Sequence, residues 1–401
     1  DHRMKKGHII FLNGVTSAGK TSIVEAIQDR DDVFFYVVAN DLFQEMVGEK
    51  YLQENYWKTL FLDLVKKELA GNVLLTVDAD FARYTNEEEK EITVKLDTLT
   101  RKAVSPLTLN ITVTDQNNGT VFEQTEQVTL PYEGTFSPNI TASSLYKLTV
   151  TVQEAGIILT KKETGFLVLS EAEMQAELAT FKPMYLDPEV STDYCLVDGE
   201  ITAILGTTHF VTDVYRECFY YMNAWLCDKE LAHLQTDGFN VLRSGNWVHI
   251  PAFYNEDGSI GKRGIRALQT YFILAARYGF TVQFALGTVL LNQWDRNRSP
   301  IHDTGMREKC MTLIRSFVEN FKEFPNVTLD IVNEPSYSMK GAWSIGKPSL
   351  EPGELVRFKE WLTEKYGTIE NLRTAWGETA MVLKSFEDIT MPGFDLFGRG
   401  L

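Results

Sequence analysis

Leu329-Asp330-Ile331-Val332-Asn333-Glu334-Pro335 reads as an apolar strand that ends in an amide, a carboxylate and a proline. In a βα unit this places Asn333 and Glu334 at the carboxy-terminal mouth of the strand, where barrel enzymes build their sites. Working back along the chain, further apolar strand candidates stand at Ile201–Leu205, Phe239–Leu242 and Val282–Leu286, with the last at Val327–Val332. They recur roughly every 40 residues with helix-like stretches between them, a βα repeat. The stretch Gly264 to Tyr278 carries Ile265, Leu268, Phe272 and Ala275 on one helical face and stops at Gly279. Met306 to Phe321 does likewise with Cys310, Leu313, Ile314, Phe317 and Phe321 inside and Asp303 or Thr304 as cap. Parallel strands joined in this way make a doubly wound sheet or a (β/α)8 TIM barrel.

Two other textures precede this one. From Val73 to Leu169 the period falls to two, in Glu91–Leu96, Leu107–Val113, Val121–Leu130 and Leu145–Val152. Asn117-Asn118-Gly119 and Glu133-Gly134 serve as turns, so the segment is expected to be a β-sandwich of short antiparallel strands. From His8 to Asn72 the chain is α/β, with an amphipathic helix at Tyr56–Leu69. There Gly14-Val15-Thr16-Ser17-Ala18-Gly19-Lys20-Thr21 fits a phosphate loop between the strand Ile9–Leu12 and a helix starting at Thr21. In such a loop backbone N–H groups cradle phosphate oxygens, Lys20 reaches the β and γ positions, and Thr21 holds Mg²⁺. Asp78, after the apolar run Val73–Val77, is either a Mg²⁺-positioning carboxylate or a strand-end residue. The expected architecture is therefore multidomain α/β plus all-β: a P-loop fragment over 1–72, an immunoglobulin- or fibronectin-like sandwich over 73–170, and about four βα units over 171–401 that make either a doubly wound sheet or a partial (β/α)8 TIM barrel.

Composition narrows the partners. The chain has 401 residues, 44% of them hydrophobic and 12% aromatic, which excludes disordered and collagen-like classes. Its 39 Lys and Arg against 55 Asp and Glu give a net charge of −16, which argues against nucleic acid, a partner that needs clustered cations. No stretch reaches the roughly 18 apolar residues of a membrane span, and no signal-peptide layout is visible, so the expected location is cytoplasmic; secretion stays open if the amino terminus is not native. Met4 is a candidate original start. Cys195, Cys218, Cys227 and Cys310 form no Cys-x-x-Cys pair and are expected as thiols.

The stretch Ile10 to Ser22 resembles the opening of chloramphenicol phosphotransferase-like kinases, and the resemblance extends to Ala39-Asn40-Asp41-Leu42. It implies a P-loop small-molecule phosphotransferase that binds ATP and Mg²⁺ through Gly14, Gly19, Lys20 and Thr21, with Asp41 as base on the acceptor hydroxyl. That family's lid and later parallel strands have no counterpart here. The Asn333-Glu334-Pro335 tripeptide resembles the clan A glycoside hydrolases, whose fourth barrel strand ends this way. The resemblance implies a retaining glycosidase acting on β-linked glycosides without a cofactor, with Glu334 as general acid/base and Asn333 on the sugar 2-hydroxyl. Gly238 to Arg243 is similar to that clan's second strand, so Arg243 is expected to support the nucleophile. Gly206 to Phe210 with Asp213 to Arg216 looks like the first-strand region of its cellulase-like and β-galactosidase-like members. Phe358 to Gly367 and Leu372 to Gly377 are similar to the β-galactosidase-like insertion. His209, Asn246, Trp247 and His249 are candidate substrate contacts, and Trp247, Trp294 and Trp343 candidate platforms for sugar rings. The partner implied is an oligo- or polysaccharide or a small β-glycoside.

A full barrel takes eight βα units and about 250 residues, whereas four strand candidates are visible. The clan's nucleophile lies on the seventh strand, and neither Glu378 nor Glu387 suits that role. A truncated, fused or trimmed reading frame is expected, without the nucleophile and with activity left open for that reason, and with exposed sheet edges that favour assembly with another chain.

Overall fold

The structure is a computed structural model that describes residues 73–98, 106–214, 217–246, 251–286, 304–331, 352–377 and 381–390. The chain divides between Gly71 and Asn72 into two units, and every described residue belongs to the second. The phosphate loop and the helix expected at Tyr56–Leu69 lie outside the described residues.

The period-two segment folds into β1 (Leu74–Ala79), β2 (Arg83–Tyr84), β3 (Ile92–Asp97), β4 (Leu107–Asp115), β5 (Thr120–Val128), β6 (Tyr132–Phe136), β7 (Ser144–Glu154) and β8 (Ile157–Val168). They pair as two sheets, ordered β1-β3-β6 and β2-β8-β7-β4-β5. Alternation decides what is buried: Leu109, Ile111 and Val113 of β4 and Leu148, Val150 and Val152 of β7 meet Ile92, Val94 and Leu96 of β3 in one core. Glu133-Gly134, expected as a turn, instead lies inside β6, with Gly134 opposite Val94. The glycine is there to make room, because a Cβ at 134 would stand 2.2 Å from the Tyr132 hydroxyl oxygen.

After α1 (Glu171–Leu178), opened by a Ser170–Glu173 capping box, comes a small antiparallel sheet of β9 (Met184–Tyr185), β10 (Cys195–Val197) and β11 (Glu200–Thr202). The apolar run Ile201–Leu205 is thus not the first parallel strand; Ile201 and Ile204 are 59% and 58% exposed. That strand is β12 (Gly206–Thr208), selected by hydrogen bonding rather than hydrophobicity. Leu205 N–H donates to Asn240 Oδ1 at 2.9 Å and its carbonyl accepts from Asn240 N–H at 3.0 Å, which starts the register of Gly206 against Val241.

From there the βα repeat holds. β12, α2 (Ala224–Thr236), β13 (Val241–Gly245), α3 (Lys262–Arg277), β14 (Thr281–Ala285), α4 (Thr304–Phe321) and β15 (Val327–Asp330) build a four-stranded parallel sheet in sequential order. β13 runs on to Gly245, so Arg243 stands inside the strand rather than at its end, and β15 stops at Asp330, short of Val332. α5 (Pro352–Tyr366) and α6 (Ile369–Trp376) form a small cluster about Leu362, Leu372 and Ile389.

One face of the parallel sheet is packed. Leu242, Val282 and Phe284 are fully buried, and Phe272 of α3 meets Phe284, Phe321 and Phe324 with ring centroids 5.4, 5.3 and 5.9 Å apart. The same core takes in Ala82, Leu145, Leu167 and Leu169 from the antiparallel region. This explains why α3 is buried from Ala267 to Ala275 and not on one face alone. Its polar side is satisfied across the junction, where the fully buried Arg83 donates to Gln269 Oε1 at 2.9 Å and to Leu169 O at 2.8 Å and pairs with Glu171. Among the described residues no helix is long and apolar enough to cross a membrane.

Candidate functional site

The other face of the parallel sheet is polar. Register aligns Thr208, Arg243, Gln283 and Thr328 in one row, and Gly245, Ala285 and Asp330 in the row nearer the strands' carboxy ends. Thr208, Gln283 and Thr328 are exposed. The Arg243 guanidinium stands 3.5 Å from the Asp330 carboxylate, with 36% and 25% of the two side chains accessible. The fourth strand therefore ends by placing a carboxylate beside the arginine of the second, four residues before Glu334 in sequence. Asn333, Glu334, Trp247, His249, Trp294 and Trp343 lie outside the described residues, as do Gly14, Gly19, Lys20, Thr21 and Asp41.

Asn246, expected as a substrate contact, is 5% exposed just beyond β13. Its backbone N–H donates to Ala285 O at 3.0 Å and its amide nitrogen to the Tyr254 hydroxyl at 2.6 Å, tying the second strand end to the third. His209 follows β12 and gives its backbone N–H to Arg243 O at 2.9 Å. Its ring, however, turns to the helix side: Nδ1 is 3.0 Å from the Tyr271 hydroxyl and Nε2 3.1 Å from Glu230 Oε2, with the ring stacked on Tyr271. Both ring nitrogens are thus engaged within the protein, and the structure does not bring the His209 ring to the face that carries Arg243. The reason is periodicity: Thr208 aligns with Arg243, so the next residue faces the opposite way.

Glu230, Tyr271 and Ser244 complete this network. Ser244 Oγ donates to His209 O at 2.6 Å, and Thr212 donates its N–H to Glu230 Oε1 at 3.2 Å. Burial raises the Glu230 carboxyl, but the hydrogen bonds from His209 and Thr212 outweigh it and hold the group below its ordinary value. Carboxylate, imidazole and hydroxyl stand in line as in a nucleophilic triad. The Tyr271 hydroxyl is fully buried and pushed well up by that burial, so it is no nucleophile, and the network locks the ends of β12 and β13 instead. Sequence reasoning missed Asp330, Glu230, Tyr271 and Ser244. Only Asp330 left a signal, as a charge interrupting an apolar strand.

Asp78, left open between two roles, lies within β1 and forms an ion pair with Arg263 at 2.9 Å, so its carboxylate is committed to α3. Glu387 is exposed beside Lys359 at 2.9 Å. The four cysteines carry no disulfide, and burial pushes Cys218 and Cys310 up to about 12. Among the described residues no group of three or more His, Cys, Asp or Glu is placed to hold a metal ion.

Two family models match parts of the chain. Residues 289–395 match the glycoside hydrolase 42 model, described as beta-galactosidase, a span that includes α4, β15, Asn333-Glu334-Pro335, α5 and α6. Residues 7–121 match the model described as chloramphenicol phosphotransferase-like protein, a span that runs past the phosphate loop into β1, β3 and β4. No curated protein matches the chain. Among solved structures, the β-glucuronidase of Parabacteroides merdae is 12% identical, with a TM-score of 0.25 over 74% of this chain and 31% of its own. The β-glucuronidase of Bacteroides uniformis is 10% identical, with a TM-score of 0.27 over 75% of this chain and 32% of its own. A glycosyl hydrolase family 2 member from Bacteroides cellulosilyticus DSM 14838 is 14% identical, with a TM-score of 0.24 over 73% and 34%. The chain spans about a third of the length of these structures.

Proposed function

We propose that the chain carries the acid/base half of a retaining glycosidase for β-linked glycosides, housed in a partial (β/α)8 barrel and flanked by a β-sandwich accessory module. The observation that supports it is the beta-galactosidase family match over 289–395, a span that contains both the strand Val327–Asp330 and, three residues later in sequence, Asn333-Glu334-Pro335. Glu334, as a carboxylic acid, protonates the glycosidic oxygen, and as a carboxylate it later takes a proton from water. Asn333 holds the sugar 2-hydroxyl. Arg243, oriented by Asp330, presents its guanidinium to a carboxylate or hydroxyl at the same mouth. Asn246, held by Tyr254 and Ala285, precedes in sequence Trp247, the residue proposed to stack on a sugar ring. The test is Glu334→Gln in a chain extended to carry the other half of the barrel, read with an aryl β-glycoside. Loss of about 10²–10⁴-fold in rate is expected of a general acid; an unchanged rate overturns the assignment.

The family match over 7–121 supports a second reading, a small-molecule phosphotransferase that uses Lys20 on phosphate and Thr21 on Mg²⁺, with Asp41 as base. Titration with ATP and Mg²⁺ should then show binding that Lys20→Ala weakens; equal binding by both proteins overturns it.

A further inference from the structure

The stretch from Lys182 to Leu205 stands apart from its surroundings. Among the described residues its three short strands, β9, β10 and β11, pair only with one another, and no residue of the stretch joins any of the three apolar cores. Yet it is rich in large apolar side chains. Tyr185, Leu186, Val190, Tyr194, Ile201 and Ile204 are between 42% and 68% exposed. Register gathers several of them. Tyr185 and Ile201 lie opposite Leu196 from its two sides, so these three side chains share one face of the small sheet. Period two puts Tyr194, immediately before β10, on that face as well. A face of Tyr, Leu and Ile left open in this way has the composition of an interface centre, where tyrosine is an enriched anchor.

The surroundings of this face are acidic. Asp187, Glu189, Asp193, Asp198 and Glu200 stand in the same stretch against Lys182 alone, and Lys182 already pairs with Asp198 at 3.3 Å. We propose that the small sheet is the docking site for a cationic amphipathic helix of another protein, whose apolar side lies on Tyr185, Tyr194 and Ile201 and whose Lys and Arg reach the carboxylates.

Charge decides the occupant. The acidic rim repels anionic lipid headgroups and nucleic-acid phosphates. A second copy would bring an identical rim, and a net charge of −16, against this one. An amphipathic helix meets both demands at once, because an open apolar sheet face is covered by a helix's apolar stripe while the flanking cations face the rim. The site also lies away from the Arg243–Asp330 face. Ala203 to Leu205 lead from β11 into the amino end of β12, and Leu205 bonds to Asn240 just before β13. The partner therefore docks at the amino ends of the parallel strands, where it tethers the protein without covering the carboxy ends.

The test titrates the full chain with a labelled synthetic peptide of Leu and Lys patterned as an amphipathic helix, and with its Leu and Glu counterpart. Fluorescence anisotropy reads binding and amide hydrogen exchange reads its place. The Leu–Lys peptide should bind and slow exchange between residues 184 and 205, and the Leu–Glu peptide should do neither. Tyr194→Ser with Ile201→Ser, at positions 56% and 59% exposed, should weaken binding about tenfold or more with unaltered circular dichroism. Asp193→Asn with Glu200→Gln should weaken it too, whereas Glu308→Gln with Glu319→Gln, which remove the same charge from α4, should not. Equal losses from the two charge-neutralised pairs would reduce the effect to general attraction toward an acidic protein and overturn the site, as would no binding at all. Exchange at 184–205 that is already at its peptide-bound level without peptide would mean that the chain covers this face itself. A dimer dissolved by Tyr194→Ser with Ile201→Ser would mean that a second copy does; either result overturns the proposal.

Discussion

At the scale of single residues, the polar groups around the strand ends act by holding one another. Glu230 accepts from His209 and Thr212, His209 lies against Tyr271, and Ser244 pins the His209 carbonyl. Because the folded-state value of Glu230 is depressed, its stabilisation is present above the unfolded carboxylate value and is lost as pH falls through the folded one. Glu230→Gln should therefore cost about 1–2 kcal/mol at neutral pH by urea unfolding. That gap should shrink as pH drops below the ordinary carboxylate range; a gap constant with pH would contradict the assignment. His209 was legible in the sequence as a residue near the first strand, but its side was not, because strand parity depends on where β12 begins. That start was set by Asn240 and not by the apolar run before it.

At the scale of elements, the contact between α2 and the antiparallel sheet turns on one glycine. A Cβ at Gly165 of β8 would stand 2.5 Å from the Trp225 Cβ and 2.6 Å from the Tyr146 carbonyl oxygen. Neither neighbour is the far end of a flexible side chain. Gly165→Ala should cost about 1–3 kcal/mol, read from the shift in urea midpoint at constant slope. The strands and helices themselves were largely legible: β3, β4, β7, β14, α3 and α4 lie where period two and period 3.6 place them. The failures share one cause. Glu133-Gly134 has turn composition but sits in a strand because Tyr132 covers the glycine, and Gln269 and Thr270 look solvent-facing but are buried because Arg83 and the antiparallel sheet reach the far side of α3. In both, a partner distant in sequence overrides local preference: Val94 of β3, which pairs with Gly134, and Arg83, which reaches Gln269.

At the scale of the whole molecule, residues 72–401 behave as one body despite two textures. Leu145 and Leu167 of the antiparallel sheet join the core of the parallel one. Arg83–Glu171, Arg263–Asp78 and Arg266–Glu88 bridge the two regions, and Glu88 is drawn down to about 2: burial opposes this, but the Thr85 N–H, Lys262 and Arg266 outweigh it. Calorimetry should therefore show antiparallel and parallel regions melting together, with the Trp225 environment changing in the same transition; a separate transition for each would contradict the shared core. The sequence alone determined the period-two region and the βα repeat, because hydrophobic periodicity is a local property of the chain. Only the tertiary structure decided that Arg243 meets Asp330, that His209 faces the helices and that α3 is enclosed on every side. Those outcomes depend on register and on partners far along the chain, which no local window contains.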